Sequence, residues 1–233
     1  MTNRNKKQKE RLNVESQRLH LSYPNLSLQP QVNDWASVTG TIEIDPDMLP
    51  EIGYTVQLVL PPKYPQEEPL LICNRVEIPW KIDRHVYEKN GIACLCARSE
   101  MRMHWPQGSD LCDFIDNLVV PFFLGQNYYD AHGCWPPTGE RSHGKPGIID
   151  SYTELLTEIN NLDQEKIRSF MQIIAQKKNP GGHMLCPCGS RKKLRNCHRD
   201  LIIRLRSNID PRHAKADFKE AFNNEKTLKR SNL

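Results

Sequence analysis

The sequence predicts an α+β fold, with helices segregated from one antiparallel sheet, followed by a small metal-pinned knuckle. Three observations predict it. Four strand-like runs lie close together between Leu26 and Cys73, divided by turn-forming residues, which is the pattern of a four-stranded antiparallel meander. Helical periodicity is confined to residues 3–20 and to the chain after Ser109. Near the C-terminus, Cys186-Pro-Cys188-Gly and Cys197-His198 collect four metal-ligating side chains in one short stretch.

Taken in order, residues 3–20 are charged, with Leu12, Val14 and Leu19 interspersed, and read as a helix docking by one weak apolar stripe. Strands follow at Leu26–Val32, Trp35–Ile44 and Tyr54–Leu60. The second alternates Val38, Gly40, Ile42 and Ile44 against Ser37, Thr39, Thr41 and Glu43, and D-P-D-M-L-P-E-I-G supplies the next turn. Pro61, Pro62, Pro65 and Pro69 then remove four backbone donors, predicting a rigid, extended edge segment with Tyr64 packed inward. A short strand at Leu70–Cys73 comes next. Ile78 to Met103 has no regular pattern, and a long irregular stretch in a compact domain points to function.

Ser109 or Asp110 caps a helix whose apolar face is Leu111, Phe114, Ile115, Leu118 and Val119, and Pro121 is expected to end it. The run from Asn127 through Gly147 reads as turn-rich. Helical patterning returns over residues 151–176 with an interruption at N-N-L-D. These readings give residues 1–176 as the larger domain, 177–182 as a linker, 183–200 as the metal motif and 201–233 as a helical basic tail.

The totals bound the function. A chain of 233 residues can hold one full core of about 150 residues and an accessory module. No apolar run approaches the ~20 residues a membrane span needs, so no membrane partner is expected. A net charge of +4 gives weak support for nucleic-acid binding, although Arg4–Arg11 and Arg191–Arg206 are basic. Eight cysteines without an export-type leader point to reduced thiols and a cytoplasmic location.

The irregular stretch contains H-V-Y-E-K-N-G-I-A-C-L-C and closes on Trp105-Pro106. Its chemistry suits acyl transfer. A thiolate is the nucleophile, and one thiol can replace another in a thioester without a strong base. Gly91 permits close backbone approach, Leu95 anchors the loop, and Cys94 is the expected nucleophile with Cys96 the alternative. An oxyanion needs donors, and Asn90, loop N–H groups or Tyr87 are candidates. His85 is either a base or a loop-supporting residue. His143 with Glu140 forms a second possible base and orienting carboxylate, or a turn-stabilising ion pair. Cys73 and Cys112 read as core residues, while Cys134, beside Trp135-Pro136, is ambiguous, with packing the favoured reading.

V-Q-L-V-L-P-P-K-Y-P-Q-E-E-P, a histidine, N-G-I-A-C-L and then W-P before a helix together resemble the ubiquitin-conjugating-enzyme (UBC) fold over roughly residues 3–130. Where that family has Pro-Asn after the histidine this chain has Val86-Tyr87, which leaves the family asparagine's role unassigned. The segment G-E-R-S-H-G and the fused C-terminal motif look like the bacterial branch, found in CBASS antiphage defence operons. The resemblance implies a stand-alone conjugating enzyme acting on a cGAS-like nucleotidyltransferase without a separate activating enzyme. Cys94 would form a thioester with the partner's C-terminal glycine and pass it to an unknown amine, priming antiviral cyclic-nucleotide signalling. The alternatives are a non-catalytic UBC-like binding module, or an adaptor whose metal knuckle binds protein or nucleic acid.

That knuckle, C-P-C-G-S-R-K-K-L-R-N-C-H, resembles the SEC-C motif. Cys186, Cys188, Cys197 and His198 suit tetrahedral, structural Zn²⁺ with no coordination position left for catalysis. So short a segment cannot build its own core, so metal binding would supply its folding energy.

Overall fold

In the computed structural model, residues 3–30, 35–44, 52–136 and 142–222 are described. Their elements in chain order are α1 (Asn3–Ser22), β1 (Leu26–Pro30), β2 (Ala36–Ile44), β3 (Ile52–Leu60), β4 (Leu70–Leu71), α2 (Met101–His104), α3 (Leu111–Phe114), α4 (Val120–His132), α5 (Gly144–Leu155), α6 (Gln164–Ile174), α7 (Arg199–Asn208) and α8 (Pro211–Phe222). Two compact units result: Met1–Leu95 with Gln107–Glu140, and Cys96–Pro106 with Arg141–Leu233.

In the first unit the sheet is the expected four-stranded antiparallel meander, in the order β1-β2-β3-β4. The D-P-D-M-L-P turn lies outside the described residues, and so do Gln31 and Val32 at the end of the first predicted strand. Alternation in β2 puts Val38, Ile42 and Ile44 in the core, and Ser37 is buried as well. Gly40 adopts φ +144°, and a Cβ there would stand 2.0 Å from the Asn25 carbonyl oxygen, so only glycine fits. One sheet face packs on α4 through Tyr54, whose ring stacks on Phe123 at 4.6 Å.

Helix α1 docks differently from its expected apolar stripe. Leu19 is buried, but Val14 is 66% exposed and the inward position is taken by Glu15 at 4% exposure. A buried carboxylate needs partners, and Glu15 accepts from the Tyr64 hydroxyl at 2.7 Å and from Arg11 Nε at 2.7 Å. Tyr64 is packed inward as expected, yet the proline-rich segment around it is not extended. It winds through consecutive turns, with Tyr64 N bonded to the Pro61 carbonyl and Gln66 N to that of Lys63. A φ near −65° suits the second position of a turn as well as an extended chain, and here the turns win.

Asp110 caps α3 through a reciprocal bond with Asp113. The predicted face of Leu111, Phe114, Ile115, Leu118 and Val119 is buried. The helix does not end at Pro121, however. A π-turn over Ile115–Val119 carries the chain into α4, which starts at Val120 and takes Pro121 in its first turn. The widened turn shifts the hydrogen-bond register just where Pro121 has no N–H to give. Residues 127–132, expected in turns, therefore continue the helix to Gly133.

In the second unit α5 and α6 are separated at the predicted interruption, where Asp163 caps α6 by accepting from Lys166 N at 2.8 Å. Tyr152, Leu156, Phe170 and Met171 share one core with Cys186, Leu194, Ile202 and Phe222, so the predicted tail packs with the knuckle, and the predicted linker lies inside this unit. Arg206 Nη1 donates to the carbonyls of Ile173, Ile174 and Gln176, serving the otherwise orphaned C-terminal end of α6. Segment 96–106 belongs here by its contacts. Arg98 pairs with Asp217 at 2.6 Å, Arg102 with Asp210 at 3.0 Å, and the Ser99 and Ser151 hydroxyls meet at 2.5 Å.

Candidate functional site

The irregular stretch is not regular structure, but neither is it without local order. It contains 3₁₀ turns at Ile82–Arg84 and Arg98–Glu100, and the single-turn α2. Between them residues 91–94 lie as a short extended piece between two others. On one side Cys73 N donates to the Gly91 carbonyl and Ala93 N to that of Leu71, both at 2.9 Å. On the other, Val86 bridges Ala93, Tyr87 N donates to the Ile92 carbonyl at 3.0 Å, and Cys94 N donates to the His85 carbonyl at 2.7 Å. Cys94 thus leaves a doubly paired piece of backbone, with its side chain partly exposed.

Gly91 makes the approach possible. Its φ is +70°, and a Cβ would stand 2.4 Å from the Trp80 ring, whose Nε1 donates to the Cys73 carbonyl at 2.9 Å. Asn90 lies in the turn just before it, and its Oδ1 accepts from Ile92 N at 3.3 Å, an Asx-type local bond. Its side-chain oxygen is therefore occupied in shaping the turn. Tyr87 is 48% exposed, and Leu95 is only half-buried.

The structure brings His85, Asn90 and Cys94 into one hairpin of the first unit, whereas Cys96 is grouped with the second. His85 is in the left-handed conformation at φ 53°, is buried, and meets Trp135 edge-on at 4.4 Å. Among the other thiols, Cys73 and Cys112 are buried as expected, while Cys134 is exposed rather than packed. It lies just beyond the C-terminal end of α4, next to the Gly133 that closes the helix. His143 precedes α5, and Glu140 lies outside the described residues.

Four supporting residues escape sequence reasoning: Trp80, described above, and Arg84, Gln126 and Trp135. Arg84 and Gln126 are buried at 6% and 0% exposure, and Trp135 Nε1 donates to the Asp83 carbonyl at 2.7 Å. One signal for Gln126 was present in the sequence: a polar residue four places after Phe122 on the apolar helix face.

The second candidate is the Cys/His cluster. Ligand atoms of Cys186, Cys188, Cys197 and His198 all lie within 4.8 Å of one another. His198 Nδ1 is 3.3 Å from the sulfurs of both Cys186 and Cys197, and Cys188 is 3.6 Å from Cys197. Edges of about 3.5–3.8 Å follow from tetrahedral bonds of ~2.3 Å to sulfur and ~2.0 Å to nitrogen, so the group is close to the size one ion requires. A tight turn at Gly189 (φ +84°) and the bridge Leu185–Lys193 bring the two ligand pairs together. Burial pushes the Cys186 thiol up to about 12. Cys188 is also raised by burial, but hydrogen bonds from Ser190 and the neighbouring thiols pull it down to about 6. Thiols this close cannot share several negative charges unless a cation lies among them.

Comparison with known proteins agrees at this site. The SEC-C motif matches residues 185–200. No curated protein and no solved structure matches the chain. No described helix is long and apolar enough to cross a membrane.

Proposed function

We propose that the first unit is a ubiquitin-conjugating-enzyme-like domain in which Cys94 carries an acyl group as a thioester, and that the Cys/His cluster of the second unit holds a structural Zn²⁺. The observation that carries the first part is the placement of Cys94. It is partly exposed, it follows a glycine whose backbone lies against Trp80, and its amide is fixed by the His85 carbonyl. The order of α1, a four-stranded meander, turns around Tyr64, a histidine, the cysteine hairpin and a following helix supports the same reading.

In this mechanism the Cys94 thiolate attacks the carbonyl carbon of a C-terminal glycine already activated as a thioester or acyl adenylate, and the activating thiolate or AMP leaves. The activation comes from outside this chain, unlike the stand-alone action that the resemblance implies. An amine then attacks the thioester, Cys94 departs as thiolate, and the amine proton passes to solvent. Loop N–H groups and the Asn90 amide would serve the tetrahedral oxyanion. The partner, a cGAS-like nucleotidyltransferase whose conjugation primes antiviral signalling, rests on the sequence resemblance alone. The zinc assignment rests on three thiols and one imidazole spaced for a tetrahedral ion, with no ligand position left over.

The test supplies the nucleotidyltransferase tail already activated as a C-terminal thioester. A hydroxylamine-sensitive adduct on Cys94, lost in Cys94→Ala and retained in Cys96→Ala, is expected. Loss in Cys96→Ala alone moves the nucleophile to Cys96. Full function of the Cys94→Ala, Cys96→Ala double variant makes the unit a binding module.

A further inference from the structure

We infer that Arg84 and Gln126 are positioning residues for Cys94, acting through the backbone of His85; this deepens the acyl-transfer reading and rests on it. Gln126 grips Arg84 twice. It accepts from Arg84 Nε at 2.8 Å and donates its own amide to the Arg84 carbonyl at 2.7 Å. That carbonyl belongs to the peptide joining Arg84 to His85, so a side chain of α4 fixes the plane of that peptide.

The next residue needs such a hold. His85 is non-glycine at φ 53°, a left-handed conformation disfavoured for a residue with a Cβ, which persists only where its surroundings impose it. Its carbonyl, aimed by that backbone, takes the Cys94 amide at 2.7 Å. A path of direct contacts therefore runs from Gln126 through the 84–85 peptide to the sulfur-bearing residue.

Packing alone does not account for this pair. A buried guanidinium is expensive, and apolar replacements of similar volume often serve stability as well. Arg84 keeps its charge under cover by pairing Nη1 with Asp130 at 2.5 Å and lying 4.4 Å over the Tyr129 ring. Its Nη2 is buried with no hydrogen-bond partner among the described residues, a cost that stability by itself would not select. What the arginine supplies that an apolar residue would not is a fixed main-chain direction at His85.

Amide exchange and thioester kinetics on the full chain test this in Gln126→Leu, Arg84→Lys and the double variant. Gln126→Leu removes both bonds at similar volume, while Arg84→Lys keeps a cation for Asp130 but loses Nε. Each single variant is expected to lower exchange protection of the Cys94 and Tyr87 amides about tenfold, with the double no worse, because the two side chains form one interaction. Protection in β2 and β3 should stay as in the wild type. The maximal rate of thioester formation should fall about tenfold or more with an unchanged half-saturating donor concentration. Wild-type protection at Cys94 in both single variants, or an equal loss across the sheet, overturns the assignment. If the wild type forms no thioester at all, the acyl-transfer reading fails, while exchange still decides whether Arg84 and Gln126 hold the Cys94 backbone.

Discussion

Arg98 Nε lies 2.6 Å from the carboxylate of Asp217, which is 2% exposed and also takes the Tyr152 hydroxyl at 3.3 Å. Burial raises the Asp217 pKa even with the guanidinium beside it. Removing Arg98 leaves a buried charge with little compensation, whereas removing both groups does not. Arg98→Ala is expected to cost about 2 kcal/mol at pH 7, and the Arg98→Ala, Asp217→Asn double variant clearly less. Without the arginine, the raised pKa means that stability is present at acid pH and falls as pH climbs above the ordinary carboxylate range. Urea unfolding at pH 5 and pH 7 measures both effects, and a double variant as unstable as the single would refute the pairing.

The sheet was legible because period-two alternation and turn residues are local signals. The Cys/His cluster was legible because its four residues are close in sequence. What the sequence hid is non-local. Nothing in A-R-S-E-M-R reveals that Arg98 and Arg102 pair with Asp217 and Asp210 more than 100 positions later. Pro121 read as a helix stop because the rule assumes α-helical register, and the π-turn before it changes that register. The burial of Glu15 is invisible in a charged stretch because only Tyr64, folded back from the proline segment, makes it tolerable. Within the candidate site the residues that could do chemistry were visible by type, but Arg84, Gln126 and Trp80 act by position and carry no motif.

Alkaline pH should unfold the protein cooperatively. Burial pushes Cys73 and Tyr54 up to about 12, and Tyr23, Tyr64 and Tyr152 are raised further, also chiefly by burial. Folded values above the unfolded ones mean that this stability is complete below the ordinary pKa of each group, ~8.5 for the thiol and ~10 for the phenols. It is lost as pH rises through the folded values. Tyrosinate absorbance at pH 10.5 should therefore show these four phenols silent until the chain unfolds, and early titration of all of them would contradict their burial.

Metal removal should loosen the second unit selectively. Cys186 and Leu194 are part of its core, so losing an ion at the cluster undoes packing as well as ligation. Elemental analysis should find one zinc per chain, absent in Cys188→Ser, Cys197→Ser. A chelator should lower the thermal midpoint of this unit by more than about 10 °C. Full protection of amides 184–197 after complete demetallation would show that the cluster needs no metal.

Gly91 offers the sharpest local test of the Cys94 hairpin. At φ +70° an alanine carries the left-handed penalty of about 1–2 kcal/mol, and its methyl group would overlap the Trp80 ring at 2.4 Å. Two responses are open to the chain: Trp80 withdraws and breaks its bond to the Cys73 carbonyl, or the hairpin lifts and loses the pairing of Gly91 with Cys73. Either way Gly91→Ala should cost about 2–4 kcal/mol, more than the backbone penalty alone. Adding Trp80→Leu clears the ring and should recover the steric part while leaving the φ penalty, so the double variant is predicted to be more stable than Gly91→Ala by itself. Urea midpoints of Gly91→Ala, Trp80→Leu and the double variant decide it, and a double variant that is simply the sum of the two singles would mean that the ring does not lie against residue 91.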